Sequence, residues 1–227
     1  YTYDMKLTKL PLVAALSLLV LSSNAWAQST KRLIDEVNPF IGTSNFGTTN
    51  PGAVVPNGLM SITPFNVSGS PELNKFDKDK RWWSTPYTAD NKFFSGFSHV
   101  NLSGVGCPEL GSIIVSASAG DLDVDYTHYG SAMSEEKAHP GYYSVQLDKH
   151  KIKAEVTATQ RTAVSAFTFE RGGKSNILVN LGLGLTNESG ATVRFLNDST
   201  IVGSKLMGTF CYAPQAVFNQ YFAIRIS

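Results

Sequence analysis

The sequence predicts an all-β protein built as a large antiparallel β-sandwich. From Gly111 onward, short apolar runs with the alternation of strands follow one another at close spacing, and no comparable run shows sustained helical periodicity. Many of the 19 glycines and 10 prolines separate these runs, which favours a turn-rich β architecture over a helical bundle. Successive strands without intervening helices are typical of a sandwich or a barrel.

The composition excludes two broad classes of protein. Of the 227 residues, 42% are hydrophobic, which is too apolar for a disordered chain. The 19 basic and 18 acidic residues give a net charge of +1, without the basic excess that binding to nucleic-acid phosphates usually requires. We therefore expect a folded protein with no nucleic-acid partner.

The N-terminal region has the pattern of a secretory signal peptide over residues 5–27. Two early lysines precede an apolar run at 10–21, and Ala25-Trp26-Ala27 forms an A-x-A cleavage site. The apolar run is short for a membrane span, and a retained membrane anchor is the alternative interpretation. We expect an exported protein, periplasmic or secreted by a bacterium, with a mature domain at 28–227 and no membrane association after cleavage.

Loops precede most of the strands in the mature chain. Residues 31–87 are punctuated by turns, and only 59–63 has the pattern of a strand there. In 151–158, apolar and polar residues alternate strictly, which predicts a strand buried on one face. From Gly111 onward the strands are predicted at 113–117, 122–126, 142–147, 151–158, 163–169, 176–181, 191–195 and 218–226. Because Ser227 ends the sequence at the last of these, we expect the sandwich to be incomplete at its C-terminus.

Familiar catalytic and metal-binding motifs are incomplete in this chain. Residues 96–100 lack the second glycine of a nucleophile elbow, and 104–109 lack the third glycine of a dinucleotide-binding loop. Alternating aspartates at 121–125 lack the glycine and the glutamate of a calcium loop. Glycoside hydrolysis needs two placed carboxyl groups, but no pair among six candidates has surroundings that suggest opposite pKa tuning. The six are Glu72, Asp77, Asp90, Glu109, Glu135 and Glu136.

Several side chains nevertheless suit a sugar. Trp82 and Trp83 are flat aromatic residues, and because neighbours in an extended segment point opposite ways, at most one should face a ligand while the other packs in the core. That both lie in the core is the alternative. His99 is equally a structural residue or a ligand contact. Cys107 and Cys211 can pair in an exported protein, or can be small buried apolar residues.

Five motifs, in order, resemble the opening of glycoside hydrolase family 92, the exo-acting α-mannosidases. The resemblance runs from about Val37 to the end of the chain. The motifs are NPFIGT at 38–43, NPGAVVPNG at 50–58, GFSHVNLSGVGC at 96–107, SEEKAHPGYY at 134–143 and TATQR at 157–161.

The resemblance implies a two-domain enzyme of which this chain is the first part. Its fold would be a galactose-mutarotase-like supersandwich, followed in cis by an (α/α)6 barrel. Family members cleave terminal α-linked mannose from glycans with inversion, using calcium. The general acid, the base and the calcium ligands belong to the barrel, so the resemblance places no catalytic or metal-binding residue here and implies that this chain alone is inactive.

The resemblance further implies that the sandwich supplies part of the active-site wall and contacts to the leaving sugar. The turn Phe46-Gly47-Thr48 would offer backbone N–H groups to sugar oxygens, and His99 would donate to a hydroxyl. The segment 44–49 departs from the His-rich turn common in the family, as Pro108-Glu109 departs from its aspartate. The substrate-binding candidates are Phe46, Gly47, Thr48, Trp82, Trp83, His99, Cys107 and Cys211. A free-standing carbohydrate-binding sandwich and a structural sandwich without ligand are the alternatives.

Overall fold

Thirteen strands dominate the part of the chain that the computed structural model describes. It describes residues 32–45, 47–68, 83–170, 172–186, 189–208 and 217–227. A 3-10 helix, Leu33–Glu36, and a one-turn helix α1, Tyr126–Tyr129, accompany the strands. The strands are β1 Ala53–Val54, β2 Ser61–Phe65, β3 Phe93–Phe94, β4 Gly96–Asn101, β5 Leu110–Ala119, β6 Ser131–His139, β7 Tyr142–Leu147, β8 Ile152–Ala158, β9 Ala163–Phe169, β10 Ser175–Asn180, β11 Ser189–Asn197, β12 Thr200–Met207 and β13 Phe218–Arg225.

The strands form three antiparallel sheets. The first five-stranded sheet has the order β1-β2-β4-β5-β10, and the second has the order β3-β6-β7-β8-β9. The strands β11, β12 and β13 form a third sheet in sequence order. All the pairings are antiparallel, which confirms the predicted all-β class and the antiparallel sandwich.

The main core lies between the two five-stranded sheets. Phe97 of β4 is fully buried, and its ring centroid lies 4.9 Å from that of Phe94 and 6.2 Å from that of Tyr143. A further tilted contact, at 6.3 Å, joins it to Phe167 of β9. Phe97 therefore belongs to one sheet while all three of its ring partners belong to the other. This is the face-to-face packing that defines a sandwich.

A second apolar cluster covers the opposite face of the first sheet. Phe65, Trp83 and Ile114 pack there with residues of the 183–185 loop. Because apolar groups cover both of its faces, β5 is buried along eight of its ten residues, from Gly111 to Ser118. Strands buried on both faces carry continuous apolar runs instead of alternation. In β5 the buried positions outside 113–117 are Gly111, Ser112 and Ser118, so the apolar pattern predicted only 113–117 of this strand.

The predicted strand at 122–126 is wrong. Asp125 adopts an extended backbone and its carboxylate accepts a hydrogen bond from the backbone N–H of Thr127 at 2.9 Å, which caps α1. Alternating aspartates at 121–125 imitate the period of a strand, but short acidic side chains satisfy turns and helix starts better than a sheet. Each of the other strand predictions coincides with or overlaps an observed strand. These strands are β2, β5, β7, β8, β9, β10, β11 and β13.

The signal peptide expected at 5–27 lies outside the described residues. The described part of the chain contains two helices of four residues each. Neither is long and apolar enough to cross a membrane.

Candidate functional site

The segment at 42–50, here called the turn segment, folds back on itself. The N–H of Gly47 donates to the carbonyl of Ser44 at 2.8 Å, and the N–H of Thr49 donates to the carbonyl of Gly42 at 3.3 Å. A Cβ at position 47 would overlap the carbonyl group of Gly42. Glycine is therefore required at position 47 by the close approach of two stretches of backbone.

On one side, the loop after β4 holds the turn segment. The N–H of Gly104 donates to the carbonyl of Thr48 at 2.7 Å, and the side-chain amide of Asn50 donates to the carbonyl of Leu102 at 3.4 Å. The same loop carries Cys107, which is disulfide-bonded and so presents no thiol. The fold thus brings three predicted site residues, Gly47, Thr48 and Cys107, into adjoining segments. Phe46 and Cys211 lie outside the described residues.

On the other side, the loop before β3 holds the turn segment. The N–H of Ala89 donates to the carbonyl of Thr43 at 2.8 Å, and the carboxylate of Asp90 accepts a hydrogen bond from the N–H of Asn45 at 3.1 Å. Asn45 has a left-handed backbone with φ of +50°. Asparagine is one of the few residues that adopt this conformation readily.

The amide of Asn66, buried at the end of β2, fixes the loop that carries Asp90. Its Nδ2 donates to the carbonyls of Thr88 and Asn91, both at 2.7 Å, and its Oδ1 accepts from the N–H of Thr88 at 2.8 Å. The side chain of Asn91 returns a bond to the carbonyl of Asn66 at 2.5 Å. A fully satisfied buried amide of this kind rigidifies its surroundings.

His99 lies near the end of β4, opposite Ile62 and Ser112 in the sheet. Its Nδ1 is 2.7 Å from the carbonyl of Ile113, so Nδ1 carries the proton. Burial lowers the pKa of His99, against the opposing effect of this hydrogen bond, and the ring is neutral at pH 7. In this tautomer Nε2 is an acceptor, so the ring can accept a bond from a sugar hydroxyl but not donate one through Nε2.

Trp83 packs in the second apolar cluster and is only 8% exposed. This is the core position that strand alternation assigns to one member of the tryptophan pair, while Trp82 lies outside the described residues. Trp83 shares that cluster with Phe65, Val67 and Ile114. A role for either ring in sugar binding stays a prediction.

The carboxylate of Glu136 is the centre of a polar cluster that the sequence did not single out. Its side chain is 8% exposed, and its Oε2 accepts hydrogen bonds from the hydroxyls of Tyr87 at 2.7 Å and Tyr143 at 2.8 Å. Lys92 forms an ion pair with its Oε1. A one-residue bulge in β6 begins just before Glu136, between Ser134 and Lys137. The sequence signal for this bulge is the break in apolar alternation at the two glutamates.

The groups that the described site offers are suited to recognition. Between residues 32 and 227, leaving aside the gaps in the description, no three His, Cys, Asp or Glu side chains could together hold a metal ion. The aspartates at 121–125 serve locally instead, since Asp125 caps α1 and Asp123 faces His128 at 3.2 Å. The described residues therefore do not fit a calcium site. Burial raises the pKa of Glu109.

Comparisons with known proteins agree with this architecture. The model of the glycosyl hydrolase family 92 N-terminal domain matches residues 36–227. The family GH92 α-mannosidase BT3965 from Bacteroides thetaiotaomicron is similar with a TM-score of 0.74 and 28% identity, over 85% of this chain and 26% of that chain. Its complex with mannoimidazole gives a TM-score of 0.73 and 29% identity, over 85% of this chain and 25% of that chain.

Two further relatives extend the comparison. The GH92 family glycosyl hydrolase ccman5 has a TM-score of 0.65 and 26% identity, over 84% of this chain and 26% of that chain. An uncharacterized secreted glycosidase of Arthroderma benhamiae is 29% identical over 178 residues, which are 72% of this chain and 21% of that protein. The chain thus spans about a quarter of the solved structures and about a fifth of the curated relative.

Proposed function

Since the chain belongs to glycosyl hydrolase family 92, we propose that it is the N-terminal substrate-pocket domain of an exported, inverting exo-α-mannosidase. The observation that carries the proposal is the match of the family's N-terminal domain to residues 36–227, which include every strand of the sandwich. Export is supported by the A-x-A pattern at the N-terminus and by the secreted glycosidase among the relatives.

The substrate proposed is a terminal α-linked mannose on a glycan. Support comes from the α-mannosidase BT3965, one structure of which contains mannoimidazole. In this chain, the turn segment would contribute the N–H of Thr48, whereas the expected N–H of Gly47 already donates to the carbonyl of Ser44. His99 would accept a bond from a hydroxyl. These groups orient a sugar and fix its polar atoms, which is the contribution expected from a pocket wall.

The proposal assigns the chemical step to residues outside the described part. Inversion requires a carboxylic acid that protonates the leaving oxygen and a second carboxylate that activates water. Calcium, when bound elsewhere in such an enzyme, would supply Lewis-acid assistance to substrate binding. The residues described here would hold the substrate, exclude water from one side of the pocket and keep His99 neutral.

The test compares this chain with the complete protein that its gene encodes. We expect the complete protein to hydrolyse an aryl α-mannoside, to lose activity on chelation of calcium, and to release β-mannose first from α-mannobiose, observed by NMR. This chain alone should give no turnover. Turnover by the chain alone, or no turnover by the complete protein, would contradict the proposal, and first release of α-mannose would contradict inversion.

A free-standing carbohydrate-binding sandwich is the alternative, with mannose-containing glycans as its partner. Its support is the number of aromatic residues in the 82–97 region. Three of them, Trp83, Phe94 and Phe97, are buried in the structure and therefore do not provide a binding surface. Titration of this chain with α-mannobiose, followed by tryptophan fluorescence, separates the two. Saturable binding together with an inactive complete protein would favour the alternative.

A further inference from the structure

The third sheet has the residue pattern of a sheet with one buried face. In β11, the apolar Val193 and Phe195 alternate with the polar Thr192 and Arg194. Alternation of this kind is typical of a sheet that packs against a core on one side and faces water on the other. The antiparallel register places six residues together on one side, here called the apolar face. They are Val193, Phe195, Ile201, Gly203, Phe222 and Ile224.

The edge of the apolar face formed by β11 is open to solvent in the described structure. All nine residues of β11 are exposed, with Val193 at 53% and Phe195 at 70%. Among the described residues, neither of the two apolar clusters of the sandwich includes a member of β11, β12 or β13. The strands therefore have the pattern of a covered sheet, while the described residues leave much of this face uncovered.

The apolar face is already formed in this chain. The ring of Phe222 lies across Gly203, since a Cβ at position 203 would come within 2.6 Å of that ring. The hydroxyl of Ser112 in β5 donates to the side-chain carbonyl of Gln220 in β13 and so joins the third sheet to the first. A partner would therefore meet a surface that needs no rearrangement of these strands.

The two faces of the third sheet differ in charge. The hydroxyls of Thr192 and Ser204 lie 2.9 Å apart on the opposite face, which also carries the exposed Arg194 and Arg225. None of the six residues of the apolar face is charged. The opposite face is suited to water, whereas the apolar face is suited to a partner that presents uncharged, apolar side chains.

The size of the apolar face favours a partner in the same polypeptide. With a rise of about 3.3 Å per residue and about 4.8 Å between strands, eight residues on three strands cover roughly 400 Å². A stable dimer buries about 800 Å² on each partner, so this face is too small to hold a second copy of the chain. Domains of one chain share interfaces of about 600–1,500 Å² in total, because the covalent link raises their effective concentration.

We propose that the apolar face is the docking surface for the polypeptide that follows residue 227 in the complete protein, which packs on it through apolar side chains. The inference rests on the proposed function, since the family match is to an N-terminal domain and this chain spans about a quarter of the solved relatives. The edge strand β13 ends at Arg225, so the polypeptide that follows begins beside this sheet. The polar face stays in water.

The experiment measures the labelling of an introduced thiol in the complete protein and in this chain. Phe195→Cys places a thiol on the apolar face, and its neighbour Arg194→Cys is the matched control on the polar face. In the complete protein, N-ethylmaleimide should label position 195 about 100-fold more slowly than position 194, because the docked polypeptide must first open. In this chain alone, the two positions should react at similar rates. Mass spectrometry of the labelled peptide separates these thiols from others.

Hydroxyl-radical footprinting of the wild-type protein gives the same comparison without a substitution. Oxidation of Phe195 should be several-fold lower in the complete protein than in this chain. Tyr221 is 77% exposed on the polar face and should be oxidised equally in both. Equal oxidation of Phe195 in the two proteins would contradict the docking surface.

The labelling outcomes separate this inference from the proposed function. Fast labelling at position 195 in a complete protein that hydrolyses α-mannosides would overturn the docking surface alone. Slow labelling at 195 in a complete protein that cleaves no α-mannoside would support the docking surface and overturn the proposed function. Slow labelling at 195 in this chain alone would also overturn the inference: if dilution accelerates it, a second copy covers the face, and if not, another segment of this chain does.

Discussion

At the scale of single residues, the carboxylate of Glu136 is held by three side-chain donors. Two tyrosine hydroxyls and one lysine converge on it, although Tyr87 and Glu136 are 49 residues apart in the sequence. Such a cluster joins the loop before β3 to strands β6 and β7. A carboxylate can accept from all three donors at once, which no neutral side chain of the same size can do.

Replacement of Glu136 by glutamine should lower the free energy of unfolding by about 2 kcal/mol. The amide NH2 group would face either the two tyrosine hydroxyls or Lys92, and a buried donor without an acceptor costs about 1–3 kcal/mol. Urea unfolding followed by circular dichroism measures the change. The neighbouring Glu135→Gln, at an exposed position, is the matched control, and equal effects in the two variants would contradict the prediction.

Stability should decline in alkaline solution because of the same cluster. Burial, and then the charge of Glu136, raises the pKa of Tyr87 and of Tyr143. Unfolded tyrosines lose their protons near pH 10, while these two keep theirs in the folded state. The free energy of unfolding is therefore at its full value below about pH 10 and falls above it. For each tyrosine that keeps its proton only in the folded state, the loss is up to about 1.4 kcal/mol per pH unit.

The variant Tyr87→Phe should flatten this decline. Urea unfolding between pH 8 and 11 should give a smaller loss of stability per pH unit in Tyr87→Phe than in wild type. The exposed Tyr221→Phe is the control and should follow the wild-type curve. A wild-type curve that is flat above pH 10 would contradict the direction of the shift.

Sequence reasoning at this scale identified residue types but not their partners. Asp90 and Glu136 were both among the six candidate carboxylates, yet each acts on a group 45 or more residues away. Such contacts depend on which strands are neighbours, which alternation does not reveal. Alternation places at least one of the two adjacent tryptophans in the core, and Trp83 is buried there, while Trp82 lies outside the described residues.

At the scale of elements, prediction succeeded where strands form hairpins with one buried face. The bounds predicted for β7 and β9 are those observed, and β8 begins one residue later than predicted. Strands β4, β6 and β12 were missed because bulges, glycines or charged residues interrupt their alternation. The register of β6 shifts by one residue against β7, so its apolar pattern changes phase within the strand.

The bulge in β6 can be tested at Glu135, whose φ is +50°. We expect Glu135→Gly to be tolerated and Glu135→Val to lower the free energy of unfolding by about 1–2 kcal/mol, because a β-branched side chain opposes a left-handed backbone. Chemical denaturation of both variants gives the comparison. Thr168→Val, at an exposed position of the regular strand β9, should change stability by less than about 0.5 kcal/mol. A stable Glu135→Val would show that the bulge is dispensable.

At the scale of the whole molecule, the fold class and the family followed from the sequence, whereas the chemistry of a complete active site did not. Five ordered motifs lie between residues 38 and 161, and the family match extends over residues 36–227. The described residues contribute a fixed turn, a neutral imidazole and a rigid core, but no opposed pair of carboxylates. This chain corresponds to about a quarter of the length of the solved relatives.

We expect the two five-stranded sheets to unfold cooperatively because of Phe97. This residue is 0% exposed and its ring contacts rings of the opposite sheet. Phe97→Ala should lower the free energy of unfolding by about 3–5 kcal/mol, because it leaves a cavity at the centre of the main core. Phe195→Ala, at a residue of β11 that is 70% exposed, should cost less than about 0.5 kcal/mol.

Urea unfolding of both phenylalanine variants, followed by far-ultraviolet circular dichroism and by tryptophan fluorescence, distinguishes a shared core from separate sheets. If the sheets unfold together, Phe97→Ala moves the midpoint of both signals to the same lower urea concentration without changing the slope of the transition. Trp83 reports on the second cluster, on the far face of the first sheet, so coincident midpoints would mean that both faces of that sheet depend on the main core. A fluorescence transition that stays at the wild-type midpoint while the dichroism shifts would contradict this dependence.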